Sequence, residues 1–303
     1  MSSGLYPSYR RLLAGDTPGE RISAASGMLS ACNLCPRACG VDRTRDERGF
    51  CNGGVLARVS SFGPHFGEES PLVGRRGSGT IFFAGCNLRC CFCQNYDISH
   101  LGEGRDVTID ELAAMMLRLQ EGGCHNINFV TPTHFVPQVL EAVMAAASKG
   151  LKLPIVYNCG GYETVETLRT VDGLIDIYMP DFKFWDEASS QTYCDAPDYP
   201  EVCKRAVREM HRQVGDLLIK NGLAKRGLLV RHLVMPGKLR ETEEIMKFLA
   251  EEISVDTFVN VMDQYRPCYH AERFPEIGRR LTGDEFGQAL ELAARAGLRR
   301  VYS

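Results

Sequence analysis

Gly85-Cys86-Asn87-Leu88-Arg89-Cys90-Cys91-Phe92-Cys93 follows directly on the apolar run Ile81-Phe82-Phe83-Ala84. Cys86, Cys90 and Cys93 stand at the spacing C-x3-C-x2-C, with an aromatic residue before the last of them. Three thiolates this close can hold three irons of a cubic cluster, because such clusters are ligated by cysteine sulfur. The motif supplies no fourth ligand. A closed structural site uses four protein ligands, whereas an open position on the metal can take a substrate or cofactor. An open iron at the end of a strand points to chemistry. The plainer alternative is a zinc or closed cluster site that borrows a distant fourth cysteine. Cys91 breaks no spacing and is read as pointing away into the protein.

Beyond this loop, apolar strand-like runs alternate with helical patterns from about residue 79 onward. Candidate strands are 80–84, 126–130, 154–157, 174–179, 228–234 and 257–262. They are short, continuous and rich in β-branched residues, as expected where both faces of a sheet are covered. Between the first two, Thr108 can cap a helix, Glu111 closes a capping box, and Leu112, Met115, Met116 and Leu119 form one apolar stripe. Further helices are expected over 137–148, 164–170, 201–221 and 241–252, and a last one opens at Thr282 with Glu285 three residues on. This alternation implies a parallel sheet with right-handed crossovers. Six strands are too few for a closed eight-fold barrel, so the expected fold is α/β, a partial (β/α)6 TIM-like barrel. In such folds active sites lie at the C-terminal ends of the strands.

A second cysteine set lies upstream. Cys32, Cys35, Cys39 and Cys51 form C-x2-C-x3-C-x11-C among proline and glycine turns. Four closely spaced cysteines look like a closed metal site, and on spacing alone zinc and iron–sulfur are equally suited. Eight of the thirteen cysteines fall between Cys32 and Cys93, which favours metal over scattered core thiols. Arg43, Arg45 and Arg48 beside the second set are available to dock an acidic electron donor, although arginines on a loop are more often merely solvated.

The chain of 303 residues is 44% hydrophobic and 24% charged, with a net charge of −3. That balance gives no reason to expect a general nucleic-acid or membrane surface. Residues 1–15 carry no apolar stretch long enough for a signal peptide, and no run approaches the roughly 20 apolar residues of a spanning helix. A cytoplasmic protein is the expectation.

The cysteine spacing, Phe92 and the alternating strands together resemble the radical S-adenosylmethionine superfamily, and within it the homologues of pyruvate formate-lyase activating enzyme. Gly77-Ser78-Gly79-Thr80, Cys93-Gln94-Asn95, the segment 126–134 and Met179-Pro180-Asp181-Phe182-Lys183 carry the resemblance, which covers roughly residues 20–300. It implies a radical S-adenosylmethionine core over 76–303 behind an N-terminal cysteine-rich extension over 1–75. It implies a 4Fe–4S cluster on Cys86, Cys90 and Cys93, with S-adenosylmethionine on the fourth iron. Reductive cleavage would then give a 5′-deoxyadenosyl radical that abstracts hydrogen.

Residue by residue, the resemblance puts Phe92 and Asn95 beside the cofactor, and Asp181 and Lys183 on its ribose and carboxylate; the plainer alternative for Asp181 and Lys183 is a mutual or solvent-exposed ion pair. The family's glutamate after the second strand receives the methionyl amine. Here that stretch reads Val130-Thr131-Pro132-Thr133-His134, with no carboxylate, so either the Thr131 or Thr133 hydroxyl and the backbone accept the amine, or an acid from elsewhere does. A threonine-capped turn is the simpler reading of the same residues. Asn158 replaces an aspartate that binds a monovalent cation in the activating enzymes. Arg231, His232, Asn260, Asp263, Gln264 and Tyr265 are polar groups on the later strands, available to the pocket, with His134, His232 and Tyr265 individually read as satisfied core groups. Expected partners are a low-potential donor such as flavodoxin or ferredoxin and a protein or small-molecule substrate. A glycyl-radical enzyme is the substrate that the resemblance favours. The alternatives are the same chemistry on a peptide, cofactor precursor or small metabolite, or a non-catalytic metal-binding redox module.

Overall fold

The computed structural model describes residues 6–15 and 18–303. Residues 1–5, 16 and 17 of the expected N-terminal extension lie outside them. Two helices come first, α1 (Tyr9–Ala14) and α2 (Pro18–Gly27), followed by the cysteine-rich loops and the strand β1 (Ala57–His65). A short helix α3 (Ser70–Val73) leads into β2 (Ser78–Phe83), and α4 (Tyr96–Ser99) and β3 (Arg105–Val107) follow the cysteine loop.

The repeating part then runs α5 (Ile109–Glu121), β4 (Ile127–Val130), α6 (Val136–Ser148), β5 (Ile155–Cys159), α7 (Val165–Thr170) and β6 (Ile177–Pro180). After α8 (Glu187–Cys194) and α9 (Tyr199–Val214) come β7 (Leu218–Lys220), β8 (Leu223–Leu233), α10 (Leu239–Phe248), β9 (Phe258–Met262), α11 (Gly283–Arg295) and β10 (Arg300–Tyr302).

The sheet order is β10-β9-β8-β6-β5-β4-β2-β1-β3, with β7 paired to β8 outside this path. The run from β10 through β2 is parallel, so the six expected strands all occur and their C-terminal ends share one side. The order is that of an open sheet, as a partial barrel requires. β4, β5 and β6 are buried along nearly their whole length, which is why their sequences read as unbroken apolar runs and not as alternation.

Several features depart from the sequence reading. A seventh parallel strand, β10, adds to β9 with Arg300 opposite Phe258; at three residues opening on Arg300, next to Arg299, it carries no strand signal. β1 and β3 extend the other edge antiparallel, so β1 falls in the expected extension along the chain but in the main sheet in space. The helix expected over 201–221 stops at Val214, because Gly215 takes φ +71 and returns its N–H to the His211 carbonyl. The chain then turns back as β7 on β8. Both expected capping boxes are present, Thr108 with Glu111 and Thr282 with Glu285.

Candidate functional site

The loop after β2 turns at Gly85, which has φ +86. A Cβ at this position would run into the Cys51 carbonyl. Glycine therefore serves twice here, for the left-handed backbone and for the close approach of the two cysteine segments. From that turn Cys86, Cys90 and Cys93 open onto one cleft of about 520 Å³ at the C-terminal ends of the strands. Small-molecule sites commonly span roughly 300–1,000 Å³. Phe92, Asn95, Thr131, Asn158, Asp181 and Lys183 line the same cleft. Cys91 is not on it; its N–H bonds the Tyr193 carbonyl at 2.9 Å and its carbonyl accepts from His270 at 2.8 Å.

All three motif thiols are free. Cys86 Sγ accepts the Leu88 N–H at 3.4 Å, Cys93 Sγ lies 3.1 Å from Ser99 Oγ, and Cys90 Sγ lies 3.2 Å from Cys194 Sγ. Burial pushes the Cys86 thiol up to about 12, so its thiolate form calls for a neighbouring cation or metal. Cys194, at the end of α8, was not anticipated from the sequence; nothing in its spacing relates it to the motif.

Asp181 and Lys183 follow β6. Lys183 Nζ meets Asp181 Oδ2 at 2.6 Å, so the two pair with each other while facing the cleft. Burial works against the lysine charge, but Asp181 outweighs it and the ammonium is held protonated. The Tyr199 hydroxyl accepts the Lys183 N–H at 2.9 Å and stands 2.9 Å from the carbonyls of Gly160 and Asp181. The end of β6 is thereby fixed against the end of β5. Phe92 packs edge-on to Phe184 at 5.9 Å and against Tyr265 at 6.2 Å, forming the apolar side of the cleft.

Thr131 reaches the cleft and Thr133 does not. The Thr133 hydroxyl donates to Glu163 Oε1 at 2.6 Å, and the Tyr157 hydroxyl donates to Glu163 Oε2 at 2.9 Å. Burial raises this enclosed carboxyl to about 7. Sequence reading missed Glu163, whose only cue is its place just past the Gly160-Gly161 turn.

A second acid, Glu68, does line the cleft. Asn128 Nδ2 donates to it at 3.0 Å, His65 lies 3.5 Å away, and Arg231 pairs with both Glu68 and Glu69. Burial opposes ionisation of Glu68, but Arg231 and then His65 outweigh it and hold the carboxyl near 2. Asn260 adds 2.7 Å to Glu69 Oε1. Thus Arg231 and Asn260 serve an internal acid pair that comes from the segment before α3, where no motif marks it.

His232 is satisfied on both nitrogens, by the Phe182 carbonyl at 2.8 Å and Thr242 Oγ1 at 2.9 Å. The Tyr265 hydroxyl donates to the Ile277 carbonyl at 2.6 Å. Gln264 lines the cleft, whereas Asp263 is exposed.

The upstream set converges as well. Cys32, Cys35, Cys39 and Cys51 border one void of about 10 Å³ together with Arg43 and His134. Among the described residues no three His, Cys, Asp or Glu side chains stand at metal-ligand spacing. Arg45 and Arg48 are exposed and pair with Asp42 and Asp46. Arg43, expected on a solvated loop, is instead buried at 1% exposure. Its guanidinium faces the cysteines and is withdrawn from any docking surface.

Residues 80–249 match the radical SAM superfamily. An uncharacterized protein of Methanocaldococcus jannaschii is 34% identical over 291 residues, covering 93% of this chain and 80% of its own. The pyruvate formate-lyase-activating enzyme of Clostridium pasteurianum is 39% identical over 67 residues, 22% of this chain and 26% of its own. Among solved structures, a domain of pyruvate-formate lyase-activating enzyme from Bacteroides vulgatus aligns with a TM-score of 0.45 at 14% identity, over 59% of this chain and 99% of its own. The chain belongs to the radical SAM superfamily. A radical SAM enzyme is the class that this membership supports, and the family implies a 4Fe–4S cluster and S-adenosylmethionine. No helix among the described residues is long and apolar enough to cross a membrane.

Proposed function

We propose that this chain cleaves S-adenosylmethionine reductively and abstracts hydrogen from a glycine of a partner glycyl-radical enzyme. The observation that carries this reading is the convergence of Cys86, Cys90 and Cys93 with the Asp181–Lys183 pair on one cleft. Three free thiols sharing that cleft fit a 4Fe–4S cluster with one iron left open. When bound, such a cluster supplies the electron that splits S-adenosylmethionine into methionine and a 5′-deoxyadenosyl radical.

The chain's own residues bind, orient and exclude water. Asp181 and Lys183 offer both signs of charge to a zwitterionic amino acid and its ribose, and a bound zwitterion in turn satisfies both. Thr131 and the Glu68 carboxylate are the acceptors available to the methionyl amine where the family's glutamate is missing. Phe92 covers the apolar side, while Asn95 and Asn158 present amides to the remaining polar edges. We assign this chemistry to 76–303, with 1–75 as a cysteine-rich extension. The electron would come from a low-potential flavodoxin or ferredoxin in the cytoplasm.

The glycyl-radical substrate rests on the short match to the Clostridium pasteurianum activating enzyme. It is tested by α-deuterating glycine in a candidate partner and following the label. Deuterium in 5′-deoxyadenosine together with a glycyl radical signal on the partner supports the assignment. Turnover of S-adenosylmethionine with no label from any glycyl-radical partner rejects it in favour of another substrate.

A further inference from the structure

Arg37, Arg43 and Arg89 stand between the two cysteine sets, and none of them takes part in an ion pair among the described residues. Arg43 Nε donates to the Gly54 carbonyl at 3.1 Å and its Nη1 to the His134 carbonyl at 2.7 Å. The same Nη1 lies 4.0 Å from Cys32 Sγ. Arg37 Nε donates to the Asn87 carbonyl at 3.0 Å, and its Nη2 is buried with no partner. Arg89 donates to the carbonyls of Cys86 and Phe50. Buried Arg231, by contrast, sits against two glutamates.

A buried guanidinium without a counter-charge is costly, and structures avoid it. Of the residues that border the void beside Arg43, those able to carry negative charge are the thiols of Cys32, Cys35, Cys39 and Cys51. His134 lines that void too, and its Nδ1 is buried with no partner while Nε2 holds the Ala84 carbonyl at 2.9 Å. With Nε2 donating to that carbonyl, Nδ1 is a lone-pair acceptor, so of the two it is Arg43 that lacks the counter-charge an anionic centre would provide.

We propose that Cys32, Cys35, Cys39 and Cys51 bind a metal centre as thiolates, and that Arg43 is its buried counter-cation. Arg37 and Arg89 complete a cationic seam between this centre and the Cys86 loop. The centre is one zinc ion or one iron–sulfur cluster. Four thiolates on a single zinc leave a net charge of about −2, and cysteine-held clusters are anionic in the same way. Arg43 is a positioning residue here, and the proposal stands whether or not the cleft cleaves S-adenosylmethionine.

The test uses the full chain carrying Cys86→Ala, Cys90→Ala and Cys93→Ala, expressed with both metals supplied and purified without oxygen. Elemental and sulfide analysis should find about one zinc, or about four irons with sulfide, per chain; the two results distinguish the two sources. Iodoacetamide labelling mapped by mass spectrometry should spare Cys32, Cys35, Cys39 and Cys51 until a chelator removes the metal. In the same background a folded Arg43→Met should lose metal to the chelator roughly ten- to a hundredfold faster, and Arg43→Lys should restore part of that loss. Absence of bound metal, or equal labelling with and without chelator, overturns the site. Equal release from a folded Arg43→Met and its parent overturns the role of Arg43. The labelling arm needs no Arg43 variant, so it decides the site even where Arg43→Met does not fold.

Discussion

Glu163 is fully enclosed, with the Thr133 and Tyr157 hydroxyls on its two oxygens. Its carboxyl titrates near 7 in the folded chain against an ordinary value of 4.5. Between those values the folded state keeps a proton that the unfolded state has released, so stability falls as pH rises through the window. Asp176, raised by burial to about 6, adds a fall of the same sign from 3.8 upward. Glu163→Gln should remove its share of the slope, about 3 kcal/mol across the window at 1.36 kcal/mol per pH unit. Denaturant midpoints at pH 4.5 and 7.5 for variant and parent measure it, and parallel pH profiles would contradict it. Gly85 presents the opposite case, a residue whose role follows from backbone alone. Gly85→Ala should cost about 1–2 kcal/mol for the left-handed φ, and more because Cβ meets the Cys51 carbonyl. Thermal unfolding reads that loss. At this scale the sequence was legible where a motif fixed the spacing, as at Cys86, Cys90 and Cys93. It was silent on Glu163, Glu68 and Cys194, whose neighbours come from distant parts of the chain.

Among the elements, those with local signals were the easiest to read. The Thr108–Glu111 capping box and the stripe Leu112, Met115, Met116 and Leu119 define α5, and all four apolar residues are buried. Thr108→Ala should destabilise the chain by about 1 kcal/mol with no change in cofactor turnover; a larger loss of turnover than of stability would count against this purely structural role. α9 shows the limit of local reading. Its amphipathic pattern runs on past Val214, and only Gly215, with the tertiary pairing of β7 on β8, ends it. The end of β6 presents the Asp181–Lys183 pair to the cleft. Lys183→Met leaves Asp181 without its partner and removes the one ammonium among the described residues that line the cleft. It should raise KM for S-adenosylmethionine at least tenfold while leaving the iron content intact. Unchanged KM would mean that the pair serves only the fold.

At the scale of the molecule, the parallel run from β2 to β10 brings the C-terminal ends of its strands to one side, and the 520 Å³ cleft lies there with the three motif thiols on its wall. The α/β alternation announced this arrangement, because buried parallel strands leave long apolar runs and their crossovers leave capped helices. The open edges were not announced. β1, β3 and β10 are short or mixed in polarity, and their place is set by pairing rather than by composition. The upstream cysteine segment is likewise held against the Cys86 loop by contacts that no spacing encodes, Arg89 to the Phe50 carbonyl and Arg37 to the Asn87 carbonyl. The central claim is that the Cys86, Cys90 and Cys93 loop makes this cleft a site for reductive cleavage of S-adenosylmethionine. Anaerobically reconstituted protein, reduced with dithionite and given S-adenosylmethionine, is assayed for 5′-deoxyadenosine beside Cys86→Ala. The account predicts 5′-deoxyadenosine and methionine in equal amounts from the parent and none from the variant. An intact, reduced cluster that yields no 5′-deoxyadenosine, or a Cys86→Ala variant as active as its parent, would contradict it.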